Sequence, residues 1–297
     1  MKTMNIYKTF MTISSLCVLL CNVSVGDDTI FAADSQSKWQ KSLIKQGFYR
    51  SLGFYSGYYH YGEVDTRRNN ERVMRMDLLM LGLMGQMGFV SQRGVKLEGT
   101  LRLNYALGKY TGGILDADNP DRNGQSATSI DGASIADIEL KGGYNLLRSL
   151  NATLYFQTGL GYYLNRNELI TMKRIQGYFY VPLELEGETL LTSRIALTYG
   201  GGYRYFIFGN HFTENATTER GNLRVTQKEG FGLSAFIGAN FFTKTQELRS
   251  LRLVYEYWKI GDSERRPVTS VYTNVTHYFY EPKNSTHRVF IQYSFGF

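Results

Sequence analysis

The candidate residues for catalysis in this chain are the histidines, a few aspartates and one serine. Histidine and aspartate could act as acids or bases, and serine could act as a nucleophile. The histidines are His60, His211, His277 and His287. An imidazole within hydrogen-bond reach of a carboxylate could act as a general base or activate a nucleophile. However, no aspartate is adjacent to a histidine, and the stretch "DADNPDRNG", with Asp116 and Asp118, is typical of a turn-rich loop. Ser56 and His60 share a strand face, but four residues of strand separate them by roughly 13 Å. We therefore predict no catalytic site.

The first 26 residues have the parts of an export signal. Two lysines precede an apolar run at residues 10–20, and small residues suited to cleavage end at Gly26. Cleavage after Ala33, in "IFAA", is the alternative. The apolar run is about half of the roughly 20 residues that a spanning helix needs, so we expect the segment to be removed. Residues 27–46 then form a short predicted periplasmic segment.

Cysteine content and charge exclude several kinds of site. Cys17 and Cys21 are the two cysteines of the chain, and both lie in the predicted signal. The mature chain therefore has no thiol for disulfides, redox chemistry or cysteine metal sites. The formal net charge of +7 falls by two with the loss of Lys2 and Lys8, and the remaining cations are spread along the chain. A nucleic-acid-binding protein would concentrate them. We predict no cofactor, no metal site and no nucleic-acid partner.

Composition and alternation predict β-strands. The chain has 31 glycines, 23 tyrosines, 18 phenylalanines and only four prolines; Tyr and Phe favour strands, and Gly lets backbones approach closely. In "VKLEGTLRLNYALGK", apolar residues such as Leu97 and Leu103 share one parity, whereas Lys96 and Arg102 share the other. This period of two indicates a strand with one apolar and one charged face. The pattern recurs along the chain; the parity of "GFYRSLGFYSGYYHYG" and "VMRMDLLMLGLMGQMGF" is ambiguous.

Together these segments make ten candidate strands, joined alternately by short and long connections. The long ones are roughly 62–72, 109–134, 165–174, 209–230 and 261–287. An even number of strands of about ten residues, with short turns on one side and long loops on the other, is typical of a transmembrane barrel. Lipid cannot hydrogen-bond an open edge, so the first strand must pair with the last. A soluble β-sandwich also alternates, but its loops need not segregate by length.

We therefore predict an all-β fold over residues 47–297, a transmembrane antiparallel up-and-down β-barrel of about ten strands, with eight or twelve as alternatives. The stretch "SVYTNVTHYFY" alternates inside the last long connection. It is either a hairpin above the membrane or two further barrel strands.

The charged parity of the strands predicts a lumen of nearly balanced charge. A ten-stranded barrel is only slightly wider than the size that side chains fill, and a selective pore would show an excess of one sign. We therefore expect an ion-pair network in a mostly closed lumen, with Arg102 and Glu139 as neighbours. Its predicted members are Lys96, Glu98, Arg102, Asp137, Glu139, Lys141, Glu184, Arg204, Arg252, Glu256 and Arg288. Arg75, Arg194, Asp77 and Glu186 are also assigned to the inner face.

The C-terminal stretch "RVFIQYSFGF" resembles the recognition strand of Gram-negative outer-membrane β-barrel proteins, because hydrophobic residues occupy alternate positions and Phe297 is terminal. The resemblance covers residues 47–297 as an architecture and implies location in the bacterial outer membrane. It also implies contact with the barrel-assembly machinery. The implied assembly signal is Val289, Ile291, Tyr293, Phe295 and Phe297.

Three functions follow as alternatives from this class. The first is a non-enzymatic surface protein whose long loops bind a host or surface ligand; the second is a narrow pore; the third is a surface hydrolase similar to the omptin proteases. The omptins use aspartate pairs with an Asp–His dyad at the barrel mouth, for which Asp116, Asp118 and His211 lie on the correct side. Outer-membrane lipid and lipopolysaccharide are expected partners, since loop arginines suit phosphate groups. Those arginines are Arg67, Arg68, Arg72, Arg265 and Arg266. The sequence does not predict an oligomeric state.

Overall fold

The computed structural model describes residues 46–113, 121, 125–147, 151–168, 173–214, 222–243, 247–269 and 274–296. The predicted export signal, residues 27–45 and Phe297 lie outside these residues. The only helix in the described part is a 3-10 turn at Thr66–Arg68. None of the described residues forms a helix with the length and apolarity needed to cross a membrane.

Strands make up the rest of the ordered elements. They are β1 (Gly47–Asp65), β2 (Glu71–Val90), β3 (Val95–Gly113), β4 (Ser126–Asn145), β5 (Ala152–Glu168), β6 (Lys173–Leu190), β7 (Ile195–Glu214), β8 (Leu223–Gln227), β9 (Gly230–Phe242), β10 (Leu248–Ile260), β11 (Arg266–Thr269), β12 (Thr276–Phe279) and β13 (Lys283–Gly296).

The prediction of a closed barrel of ten antiparallel strands is confirmed. Strands β1 to β7 pair in sequence order, and β9, β10 and β13 complete the circle. Closure comes from the first and last strands, which pair from Ser51↔Gly296 to Val64↔Lys283. Strand β8 pairs with the outer end of β7 beyond β9. Strands β11 and β12 form a separate hairpin in the last long connection, so the hairpin alternative for this stretch is correct.

The strands are longer than predicted. The sequence pattern indicated about ten residues per strand, whereas β1 to β7 have 17 to 20. Their ladders continue past the apolar positions, so the connection predicted at 62–72 shrinks to residues 66–70. Asn69 and Asn70 have positive φ values of 55° and 58°, which permits this tight turn. About 9–11 residues suffice for a spanning strand, so the wall extends beyond the membrane.

The outer face of the barrel carries an apolar band. On β2 the outward residues from Leu79 to Met87 are apolar, and the next outward positions towards the long connections are Asp77 and Arg75. Long connections face the exterior and short turns the periplasm in this architecture, so the charged extension is extracellular. The exposed band includes Phe48, Leu52, Phe54, Tyr58, Leu79, Leu81, Leu83, Val95, Leu97, Leu103, Tyr105, Leu107, Ile138, Leu140, Phe156, Leu160, Leu183, Leu185, Tyr203, Tyr205, Leu233, Ile237, Leu251, Leu253, Tyr255, Val289 and Ile291.

Candidate functional site

Charged side chains of strands β3, β4 and β6 meet in the periplasmic half of the lumen. Lys96 Nζ lies 2.8 Å from Glu98 Oε2 and 2.5 Å from Glu186 Oε2. Lys141 Nζ contacts Glu184 Oε2 at 2.7 Å and Glu98 Oε1 at 3.4 Å. These residues come from β3, β4 and β6. Each ammonium therefore bridges carboxylates of different strands, and the contacts to Glu184 and Glu186 link strands that are not neighbours in the wall.

Glu256 of β10 is the centre of the next layer. Its Oε1 accepts from Arg204 Nη2 at 2.7 Å and lies 2.9 Å from Arg102 Nη1, and Arg288 also contacts its carboxylate. Arg288 donates two further bonds, of 2.8 and 3.0 Å, to the two oxygens of Asp137. All five side chains are buried. Three guanidinium groups from β3, β7 and β13 thus share one carboxylate.

Every residue of the sequence-derived lumen set lies on the inner side of the wall and forms an ion pair with another lumen residue. The remaining pairs are Arg252–Glu186 at 3.3 Å, Lys141–Glu139 at 3.6 Å and Arg204–Glu139 at 3.3 Å. The partner of Arg102 differs from expectation. Arg102 stands opposite Asp137 in the β3–β4 ladder, and Glu139 stands opposite Thr100, so Arg102 and Glu139 are diagonal neighbours. The structure shows these positions and contacts; the role of the set in holding the wall is a proposal.

Three other inner-face assignments are wrong. Asp77 and Arg75 point outward, because the inner parity of β2 is taken by Met74, Met76 and other apolar side chains. Arg194 lies in the exposed turn between β6 and β7, before the first residue of β7.

Above the ion pairs, aromatic and methionine side chains fill the lumen. The Trp258 ring centroid lies 5.0 Å from that of Tyr180, 5.6 Å from Tyr178 and 6.1 Å from Tyr163. The guanidinium of Arg204 is 5.5 Å from the centroid of the Trp258 ring, so the aromatic layer packs directly against the ion pairs. Other members are Tyr55, Tyr59, Met76, Leu78, Met80, Ile135, Phe206, Ile260 and Phe290.

This aromatic layer was missed by sequence reasoning. The inner face was expected to be polar throughout, and β2 has apolar residues on both parities. The available signal was the shared parity of Met74, Met76, Met80 and Met84. All four are buried in the lumen.

At the extracellular end, Arg174 of β6 holds two carboxylates. Its Nη2 lies 2.5 Å from Glu63 Oε1 and 2.7 and 2.9 Å from the two oxygens of Glu281. Tyr61 donates a 2.7 Å bond to Glu63, and Gln176 donates one of 2.7 Å to Glu281. Glu281 lies two residues before the start of β13. We call these five residues with His211 the outer cluster; it ties the last connection to β1 and β6.

His211 of β7 lies on the other side of Glu281. Its Nε2 is 3.0 Å from Glu281 Oε2 and 2.6 Å from Thr213 Oγ1, while its Nδ1 has no hydrogen-bond partner among the described residues. A carboxylate next to imidazole can orient a general base. Both side chains are nevertheless buried, with 0% and 3% exposure. Asp116 and Asp118, the predicted partners of His211, lie outside the described residues.

Burial and charge shift the pKa values of the outer cluster. The cluster lies on the extracellular side of the apolar band: Glu63 is opposite Met74, which lies farther out on β2 than Asp77 and Arg75. Burial, reinforced by Glu281 and opposed by Arg174, raises the pKa of Glu63 to about 7. Burial would also raise the pKa of Glu281, but Arg174 and His211 outweigh it and lower that pKa to about 2. Burial lowers the pKa of His211.

A second histidine group lies on the outer surface, at the extracellular edge of the apolar band. His60 Nδ1 is 2.7 Å from Asp77 Oδ1, Arg75 Nε is 3.0 Å from Asp77 Oδ2, and Tyr58 donates to the same carboxylate. His287 faces His60 across the β1–β13 ladder.

The periplasmic end contains a cavity of about 510 Å³. Its inner end is lined by Lys96, Glu98, Glu186 and Arg252, all of which take part in the ion-pair network. A cavity of about 80 Å³ lies deeper, around Arg102, Glu139 and Glu256. Another of about 20 Å³ lies near the periplasmic end, beside Lys96, Glu186 and Arg252. A large opening on the periplasmic side therefore gives way to a packed lumen.

Four of the five implied assembly residues, Val289, Ile291, Tyr293 and Phe295, line one outward face of β13. Val289 and Ile291 are exposed, and the rings of Tyr293 and Phe295 lie 5.6 Å apart. Tyr293 also packs at 5.5 Å against Phe54 of β1. Phe297 is outside the described residues, and the role of this row in assembly stays a prediction.

No protein-family model matches the chain, and no curated protein matches it. Among solved structures, the outer membrane protease OmpT from Escherichia coli has 11% sequence identity and a TM-score of 0.62, with coverage of 86% of this chain and 100% of that chain. The attachment invasion locus protein Ail of Yersinia pestis has 8% identity and a TM-score of 0.32, covering 85% and 100%. The translocator domain of the autotransporter NalP from Neisseria meningitidis has 9% identity and a TM-score of 0.38, covering 84% and 88%.

At 11% identity the similarity to OmpT concerns the fold alone. Together with the closed ten-stranded barrel and its apolar band, it confirms the class expected from the C-terminal strand. The chain is a bacterial integral outer-membrane β-barrel protein.

Proposed function

We propose that this protein is a non-enzymatic surface protein, whose packed lumen does not conduct and whose extracellular rim binds a host or surface ligand. One observation carries the proposal most directly: ion pairs around Glu256 and the aromatic layer around Trp258 occupy the lumen in succession. A pore needs a continuous polar path, and the side chains of these two layers take up that space. Function is then expected at the outer end of the wall.

The extracellular extension offers a surface for such a ligand. The hairpin β11–β12 presents Tyr278 and Val275, which are 67% and 48% exposed. Phe279 of the same hairpin packs against Leu223 and Val225 of β8, so one face of the hairpin is anchored to the rim. Exposed apolar residues on an anchored loop are typical of interaction sites.

Lipid partners are proposed for the wall below the hairpin. Lys109 and Lys259 are exposed on the outer face. Lys109 lies two residues beyond the exposed Leu107, and Lys259 lies four residues beyond the exposed Tyr255. Both lysines are therefore at the extracellular edge of the apolar band, which suits the phosphate groups of lipopolysaccharide. The loop arginines are less free than expected, because Arg67 donates to Asp65 and Arg266 to Glu264. The barrel-assembly machinery is the proposed partner of β13.

Planar-bilayer recording of the full mature protein tests the closed lumen. We expect no stable step currents, and a Trp258→Ala variant tests whether the aromatic layer closes the path. Steady steps from the unmodified protein would support the narrow pore instead. In parallel, binding of the protein to host cells or surface polymers should be lost when residues 266–279 are replaced by a short turn; unchanged binding would contradict a role for the hairpin.

A surface hydrolase is the second candidate, and the contact of His211 with Glu281 favours it. In that role Glu281 would orient His211 to activate a nucleophile, after opening of the buried cluster. Incubation of the purified protein with casein and with phospholipid vesicles tests this activity. Turnover that His211→Ala abolishes and His277→Ala preserves would support the hydrolase and contradict the non-enzymatic proposal.

A further inference from the structure

We propose that His60 and His287 bind a divalent transition-metal ion, of the Zn²⁺, Ni²⁺ or Cu²⁺ class, on the outer surface of the barrel. The two residues are direct partners in the β1–β13 ladder, and their ring centroids lie 5.8 Å apart. Imidazole nitrogen binds such ions at about 2.0–2.1 Å, so two rings that share one ion have centroids roughly 5–6.5 Å apart. The site is independent of the proposed surface-binding function.

Hydrogen bonds leave the Nε2 atom of each ring for the metal. His60 Nδ1 lies 2.7 Å from Asp77 Oδ1, and His287 Nδ1 lies 3.0 Å from the Tyr255 hydroxyl. Metal-bound histidines usually donate their other N–H to a carboxylate or another oxygen. When the proton is on Nδ1, the lone pair is on Nε2. Metal binding would therefore select the form of His287 that donates to Tyr255.

A glycine leaves room beside the proposed ligand atom. A Cβ atom at Gly62 would lie 3.6 Å from His60 Nε2, and Gly62 stands opposite Ser285, two positions farther out on both strands. The His60 side chain is 31% exposed. An ion arriving from the extracellular side can thus reach Nε2 and keep water in its open positions.

The ligand set has two protein members. Within the described residues, no group of three or more His, Cys, Asp and Glu side chains surrounds one metal position. Asp77 is held by Arg75 and Tyr58 and acts as the outer partner of His60. Imidazole suits zinc, copper and nickel, whereas calcium and magnesium prefer oxygen ligands.

The position of the pair gives the ion a structural consequence. Strands β1 and β13 are the first and last strands of the barrel, and His60 and His287 span the ladder that closes it. An ion held by both residues would cross-link this seam. Because the two histidines are far apart in the unfolded chain, binding would favour the folded barrel.

Titration of the full mature protein in detergent with Ni²⁺ and Cu²⁺ tests the site. We expect one ion per chain, and a copper electron-paramagnetic-resonance spectrum with two nitrogen ligands. Asp77→Asn should weaken binding by about 10- to 100-fold, as expected when a metal ligand loses its outer hydrogen-bond partner. His60→Gln and His287→Gln, which remove a ligand, should each weaken binding by more than that. His277→Gln is the matched control and should bind as the unmodified protein does.

Folding is checked in every variant by the heat-dependent change in gel mobility, which should also need a higher temperature when Ni²⁺ is present. Equal affinity in His60→Gln or His287→Gln, loss in His277→Gln, or no binding by the unmodified protein would overturn the site. Full affinity in Asp77→Asn would show that Asp77 does not support metal binding by His60.

Discussion

Arg174 and Glu281 form a two-point contact, in which one guanidinium nitrogen lies 2.7 and 2.9 Å from the two carboxylate oxygens. The contact joins β6 to the residue that leads into β13. Nearby, the Ser263 backbone N–H donates to the Glu281 carbonyl at 2.9 Å, and the Lys283 N–H donates to Asp262 at 2.6 Å. The last extracellular connection is thus held largely by polar contacts, so its stability should respond to ionisation.

Ionisation of Glu63 should loosen this connection as the pH rises towards neutral and just beyond it. The pKa of Glu63 is raised to about 7 from an ordinary 4.5, so the folded state keeps a proton that the opened state loses. Stability therefore falls as pH rises through 7. Burial lowers the pKa of His211 below its ordinary 6.5, so its protonation in the opened state favours opening as the pH falls below that value. The effect of Glu63 is therefore measured above pH 6.5.

We expect opening to become roughly fourfold more populated between pH 6.5 and 8.5. Hydrogen exchange of the amides in 261–269 and 274–283, corrected for intrinsic rates, measures it. Glu63→Gln should remove the dependence, and Glu264→Gln, an exposed acid of the same connection, should keep it. The same pH dependence in both variants would show that Glu63 is not responsible.

Replacing Glu256 by Gln should destabilise the barrel strongly. The substitution leaves Arg102, Arg204 and Arg288 without their shared carboxylate in a buried site. Removal of one partner from a buried ion pair costs about 3–5 kcal/mol. Urea unfolding in detergent measures the loss, and Glu264→Gln, which removes a surface pair with Arg266, should cost about 0–1 kcal/mol. Similar losses in the two variants would contradict a network that supports the wall.

Gly57→Ala should impair closure of the barrel. A Cβ atom at Gly57 would overlap the carbonyl oxygen of Val289 and the backbone of Phe290 in the neighbouring β13. At Gly62, on the same strand, the nearest atom would be 3.6 Å away, so Gly62→Ala is the matched control. The folded fraction after refolding, read from gel mobility without boiling, should fall for Gly57→Ala alone. An unimpaired Gly57→Ala barrel would mean that the seam can widen.

Deletion of Phe297 should impair cellular assembly more than stability. Burial of one aromatic side chain contributes only about 1.5–3 kcal/mol, which a closed barrel can lose and still fold. We expect normal folding in detergent and poor recovery in the outer membrane of cells. Equal impairment in both settings would indicate a structural anchor alone, and normal cellular assembly would contradict the assembly signal.

Strict alternation made much of the architecture predictable from sequence. In β3, Leu97 and Leu103 are exposed to lipid, whereas Lys96 and Arg102 are buried in the lumen, as predicted. The period of two holds because strand geometry sends successive side chains to opposite faces. The pattern failed in β2, where leucines on the outer face and methionines on the inner face make both parities apolar. There the sequence could not decide that Asp77 points outward.

The sequence by itself determined the strand pattern and the closed-barrel class, because these depend on local periodicity and on the hydrogen-bonding needs of strands in lipid. The export signal at residues 1–26 stays a prediction. Tertiary structure alone decided which distant residues meet. Arg174 reaches Glu63 and Glu281 across the lumen, and His60 faces His287, because strand register and closure of β1 on β13 set those distances. Register is a cooperative property of the whole ladder, and no short stretch of sequence encodes it.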